Sequence, residues 1–113
     1  MSRENKLVII EKYTEFANYI YPVLQNIERK HGVLKQETLV LVLSQVELFY
    51  KALKSNQKSK LYEADSKLAS IRWHLRFLAE DKRKLISKKQ LQVSSVLLAE
   101  VGAILSTWIA KVK

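Results

Sequence analysis

Apolar residues recur along the whole chain in steps of three and four. Ile9, Tyr13, Phe16, Ile20, Val23 and Ile27 step by 4, 3, 4, 3, 4. Leu39, Val42, Val46, Phe49 and Leu53 step by 3, 4, 3, 4. Leu61, Ala64, Leu68, Ile71, Leu75 and Leu78 continue the alternation, and Leu91, Leu98, Val101, Leu105, Trp108 and Val112 share one heptad frame with Ser94 in the vacant place. A 3.5-residue period puts each row on one helix face, the pattern of helical-bundle seams. It predicts helices over about 4–30, 35–55, 59–83 and 88–112 in one domain spanning 1–113. With short connections, sequential helices run antiparallel, so the fold class is an all-α, up-down-up-down four-helix bundle.

The breaks fall between these rows. Gly32 stands where the first helix is expected to end, as a glycine past the C-terminus tolerating positive φ. Ser55, Asn56 and Ser59 mark the second connection. Ser87 and Gln90 have the spacing of a capping box, flanked by Ile86 and Leu91 at the hydrophobic-staple positions. Pro22 removes one helical hydrogen bond and predicts a kink near Tyr21.

More apolar surface is present than one monomeric bundle needs. The third helix carries a second stripe, Tyr62, Ala69, Trp73 and Phe77, rotated well away from the first. On the fourth, Ser95, Ala99, Gly102 and Ser106 form a row of small residues that lets another helix approach closely, and Glu100 is the only charge from Leu91 to Ala110. The second helix is apolar on most sides between Thr38 and Tyr50. Homo-oligomerisation accounts for this surplus best; a covered inner helix of a monomer is the alternative. A membrane span is the third reading, since Leu91–Ala110 has the length. Gln92, hydroxyls near Ser95 and a mid-span Glu100 argue against it.

Composition sharpens the picture at three points. Two Gly and one Pro in 113 residues leave too little turn chemistry for an all-β fold. With no Cys, disulfide frameworks, thiolate zinc sites and cysteine nucleophiles are excluded. No signal-peptide pattern opens the chain, so a cytoplasmic location is expected. The net charge of +9 points to polyanionic partners or acidic surfaces rather than to a fold.

That charge is clustered. Lys51, Lys54, Lys58 and Lys60 lie without an intervening acid, as do Lys82, Arg83, Lys84, Lys88 and Lys89. The second group surrounds the start of the fourth helix, where free amides and the macrodipole already favour an anion. A plain solvated loop is the competing reading. Asp65, Arg72 and Arg76 project between the two apolar stripes of the third helix and are expected to be partly buried. An internal ion-pair network with Glu100 or Glu47 is the favoured explanation; the other has Arg72, Arg76 and Trp73 facing nucleic acid, as cations beside a stacking ring. His31 and His74 are far apart and make no metal site, and no nucleophile stands beside a base, so neither an enzyme nor a cofactor is expected.

Several segments resemble the Avd proteins, the accessory variability determinants of diversity-generating retroelements. They are Tyr19-Ile-Tyr-Pro22, Leu61-Tyr-Glu-Ala-Asp-Ser-Lys-Leu68, Ile71-Arg-Trp-His-Leu-Arg76, Ile86-Ser-Lys-Lys-Gln90, Glu100-Val-Gly102 and Trp108-Ile109. The wider relatives are four-helix bundle proteins encoded in intervening sequences of bacterial 23S ribosomal RNA genes. The resemblance implies a homopentameric barrel of four-helix bundles with a basic surface. It also implies binding to a reverse transcriptase and to RNA or cDNA, in support of mutagenic reverse transcription. Arg72 and Arg76 are the positions that match the family's basic motif; the connection beside Ser87 is added from charge alone. One departure is Ser106-Thr107 before Trp108, where a Gly-rich approach is expected. A protein–protein scaffold without a specific nucleic-acid role is the competing function.

Overall fold

The heptad rows become the interior of the molecule. The computed structural model describes residues 3–112, with side-chain environments from residue 7 onward. It contains α1 (Arg3–Gln25), α2 (Gly32–Ser55), α3 (Lys58–Ala79) and α4 (Lys88–Lys111), with one 3-10 turn at Arg29–His31 between α1 and α2. No strand occurs among the described residues. The particle measures 45 × 23 × 19 Å, close to the length of a 24-residue helix (about 36 Å at 1.5 Å per residue) plus its connections. Helix α1 packs on α2 and α4, and α3 packs on the same two; among the described residues the diagonal pairs do not meet. An all-helical four-helix bundle results.

Ile9, Tyr13, Phe16 and Ile20 of α1, all six seam residues of α3, and Ser94, Leu98, Val101, Leu105 and Trp108 of α4 are buried as their spacing predicts. Each large apolar side chain taken from water stabilises by roughly 1.5–3 kcal/mol, so these rows hold the fold together. Helix α2 differs from expectation. Its innermost row is Thr38, Val42, Gln45, Phe49 and Ala52, while Leu39, Val46 and Leu53 are only half-buried. Each of the two polar members makes a hydrogen bond, although Gln45 Oε1 is buried without a partner among the described residues. Thr38 Oγ1 donates to the Leu34 carbonyl at 2.8 Å, and Gln45 Nε2 donates to the Ala64 carbonyl of α3 at 2.9 Å. Tyr13 donates its hydroxyl to the Val42 carbonyl, tying α1 to α2.

The helix boundaries correct the sequence reading at two places. The first helix ends at Gln25 rather than near residue 30, one turn after Pro22. The chain then folds Ile27 into the core, and the Lys35 ammonium closes the exposed end by donating to the carbonyls of Gln25 (2.6 Å) and Ile27 (3.1 Å). Gly32 is therefore not a left-handed terminator. It opens α2 with φ −56° and ψ −42°, ordinary helical geometry. The third helix stops at Ala79 rather than residue 83, because Arg83 folds back on it: Nε donates to the Phe77 carbonyl at 2.9 Å.

Two other ends match their signals. Asn56 closes α2 in the left-handed region (φ 51°), which asparagine tolerates. Ser87 and Gln90 form the reciprocal capping box, at 3.0 Å and 2.8 Å. Helix α4 alone among the described helices is long and apolar enough to cross a membrane. Here its apolar row packs into the bundle, and Glu100 lies 3.6 Å from Lys12 of α1.

Candidate nucleic-acid and partner interface

The two lysine-rich segments sit at opposite ends of α3, so the molecule is basic at both tips. At the α2–α3 end, Lys51 pairs with Glu47 at 3.4 Å and Lys60 with Glu63 at 3.7 Å. Lys54, in the last turn of α2, and Lys58, first residue of α3, are exposed. Neither is within ion-pair distance of a carboxylate among the described residues. Trp108 is buried beneath this connection and donates its indole N–H to Asn56 Oδ1 at 3.3 Å, pinning it to the end of α4.

At the α3–α4 end the five cations divide by role. Arg83 belongs to the fold. Its guanidinium lies 3.5 Å from the centre of the Phe77 ring and pairs with Glu80 at 2.7 Å. This cation–π contact and the carbonyl bond together cap α3. Lys88 is 3.6 Å from Asp81, with both side chains largely exposed. Lys82, Lys84 and Lys89 are exposed and have no such pair among the described residues. Lys84 has φ 49°, a left-handed conformation imposed where its amide bonds back to the Glu80 carbonyl at 2.8 Å. Lys84, Lys88 and Asp81 border an open cleft with Ser87 and Gln90. The capping box uses the Gln90 amide, so the free N–H set here is smaller than the sequence suggests.

Among the described residues the expected buried ion-pair network does not form. Asp65 and Arg76 are exposed, and Arg72 is half-buried. Glu100 lies beside Lys12, and Glu47 beside Lys51. Arg72 instead reaches across to α4, where Nη2 is 3.4 Å from the Leu98 carbonyl. Gly102 makes room for it: a Cβ there would come within 2.7 Å of Arg72 Nη2. The small residue on α4 thus accommodates an arginine of the same chain. Arg72 and Arg76 flank a groove between α3 and α4, floored by Leu75, Leu91 and Leu98 with Ser95 and Ala99. Two guanidinium groups without a carboxylate partner among the described residues leave this groove electropositive.

The apolar stripe of α3 lies on the outside. Tyr62 and Trp73 are half-exposed and Ala69 is exposed, while Phe77 is half-buried and stacks on Trp73 with ring centres 4.9 Å apart. Ser95, Ala99 and Ser106 of α4 are also exposed. The surplus apolar surface expected on the second helix between Thr38 and Tyr50 resolves into one outer row, Val40, Leu43 and Tyr50, which continues to Val33; all four point away from the core. Their 7, 3, 7 spacing was the signal for it.

Against this geometry, the family model described as bAvd-like matches residues 7–112. The chain belongs to the bAvd-like family. The match includes all of α2, α3 and α4, both basic tips and the Arg72–Arg76 groove of this bAvd-like protein. A comparison with the curated proteins returns no match.

Proposed function

We propose that this bAvd-like chain is a non-enzymatic, cytoplasmic accessory protein of a diversity-generating retroelement. In this reading it forms an antiparallel up-down-up-down bundle and assembles into a homo-oligomer, a pentamer by family analogy. The assembly binds the reverse transcriptase and the template RNA or cDNA, supporting mutagenic reverse transcription. No cofactor takes part. The observation that carries the nucleic-acid role is the set of exposed lysines at the α3–α4 connection, in a chain of net charge +9. In an oligomer the basic tips become multivalent rims, which suit long polyanions better than single nucleotides. Each phosphate contact releases counterions, so log K falls with log salt by about 0.7 per phosphate neutralised on a single strand.

Fluorescence anisotropy with a structured RNA across a salt series tests this. Wild type is expected to bind with a steep salt slope. Changing Lys84, Lys88 and Lys89 to Glu takes the net charge from +9 to +3 and is expected to weaken binding and flatten the slope without changing oligomer mass. The substitutions at Lys88 and Lys89 place acids in the first turn of α4, where they favour the macrodipole, so lost binding is not explained by a weakened helix. Unchanged affinity refutes the assignment. The exposed Trp73–Phe77 stack favours a second reading, a protein–protein scaffold in which the cations meet an acidic partner. Retained binding to an acidic polymerase surface with no RNA affinity supports that alternative.

A further inference from the structure

Gly102 stands in the interior of α4, well away from either end of the Lys88–Lys111 helix. A glycine there lowers helix stability relative to alanine, because the unfolded chain gains backbone freedom and no side chain packs in return. Helix packing gives no reason for it. A Cβ built on Gly102 would meet no backbone of another helix and no apolar side chain within 4 Å. It would meet one group, the Arg72 guanidinium, 2.7 Å from Nη2 and 3.9 Å from Cζ.

The vacant Cβ position is the seat of that guanidinium. Arg72 Nη2 lies 3.4 Å from the Leu98 carbonyl. In an α-helix this carbonyl accepts the amide of the residue four places on, which is Gly102, and its second lone pair stays free. Each Cα–Cβ bond tilts toward the helix N-terminus, so a side chain at position 102 would cover that oxygen. The bond therefore fixes how Arg72, coming from α3, crosses to α4. A guanidinium carries five N–H donors in a rigid plane. One is engaged by Leu98, and the remainder stay available in the groove that Arg72 shares with Arg76.

We propose that Gly102 is a positioning residue: by leaving the Leu98 carbonyl uncovered it holds the Arg72 guanidinium beside Arg76, where the pair grips a phosphate of the bound nucleic acid. This rests on the nucleic-acid reading above and adds one defined contact to it. The tip lysines offer exposed ammonium groups. Arg72 differs because it is half-buried and already anchored, so less side-chain freedom is lost when it closes on an oxyanion. The groove floor is aliphatic, Leu75, Leu91 and Leu98, with no ring on which a base could stack. The contact therefore holds the backbone and does not read base sequence.

Gly102→Ala tests this without changing any charge. The obstructed atom is the far end of a flexible side chain, so the helix accepts the methyl group while the guanidinium leaves its seat. The melting temperature is expected to stay the same or rise by a few degrees at equal protein concentration. Fluorescence anisotropy with the structured RNA is expected to show roughly tenfold weaker binding and a salt slope smaller by about 0.7. In an Arg72→Gln background the same substitution is expected to change affinity no further, because a residue that acts through Arg72 has nothing left to position. Phenylglyoxal, which modifies accessible guanidinium groups, gives a readout that needs no RNA: Arg72 is expected to react faster in Gly102→Ala than in wild type. Unchanged RNA affinity, additive losses in the double variant or unchanged Arg72 reactivity overturns the positioning role while the lysine assignment stands. A lower melting temperature or oligomer mass in Gly102→Ala overturns it too, since the glycine then serves packing. Wild type that binds no RNA overturns the nucleic-acid reading and this inference together.

Discussion

Replacing Gly32 with alanine separates two accounts of the first connection by the sign of the effect. If Gly32 closed the first helix in the left-handed region, a side chain there would be strained and the substitution would cost about 1 kcal/mol or more. The structure instead gives Gly32 φ −56° and ψ −42° at the first position of α2, and an added Cβ would meet nothing within 4 Å. Alanine therefore fits without strain. It restricts the unfolded chain more than glycine does, a gain of about 0.4–1 kcal/mol. For a domain of this size that is a rise in melting temperature of about 2–5 °C. Thermal melts followed by circular dichroism at equal protein concentration measure it, equal concentration being needed because assembly shifts apparent stability. A lower melting temperature for Gly32→Ala would refute the assignment of Gly32 to the start of α2.

Further outcomes follow from other local features. Ser94 Oγ is buried without a hydrogen-bond partner among the described residues, so Ser94→Ala is expected to stabilise by about 1 kcal/mol in chemical denaturation; a loss would mean that the hydroxyl is satisfied. Ser87→Ala breaks the capping box and is expected to cost about 1 kcal/mol, read from the same curves. Burial pushes the Tyr13 hydroxyl well above its ordinary pKa near 10. The folded state holds this proton more tightly than the unfolded state, so the group's stabilising contribution is complete below about pH 10 and is lost as pH rises beyond it. From this group alone, stability is expected to fall by about 1.4 kcal/mol per pH unit above that point. Tyr13→Phe should lack this component of the alkaline slope; equal slopes in the two proteins would refute the account.

Much of the architecture was legible because bundle helices are specified by short-range periodicity. The buried rows of α1, α3 and α4 follow the spacing, except that Leu24 replaces Val23 at the end of α1 and that Leu91 and Val112 are only half-buried at the ends of the α4 row; the Ser87–Gln90 cap is a signal four residues long. The family was legible too, from segments such as Ile71-Arg-Trp-His-Leu-Arg76, and residues 7–112 match its model. The basic clusters could be read as runs of lysine. The free cations among them could not, because the partners Glu47, Glu63 and Glu80 flank the acid-free runs and chain geometry decides whether they reach.

By itself, then, the sequence determined helix number, three of the four inner faces, the capping box and the excess of apolar surface, since each depends on residues within a turn or two of one another. Tertiary structure decided what depends on distant partners. Gln45 could enter the core because Ala64 of α3 offers a carbonyl. The first helix could end early because Lys35 of α2 closes it. Arg72 lies on Gly102 rather than beside a carboxylate because the α3–α4 packing brings that one glycine beneath it. A polar side chain takes whichever partner the packed helices place within reach, and that distance is not encoded in the spacing of any single helix.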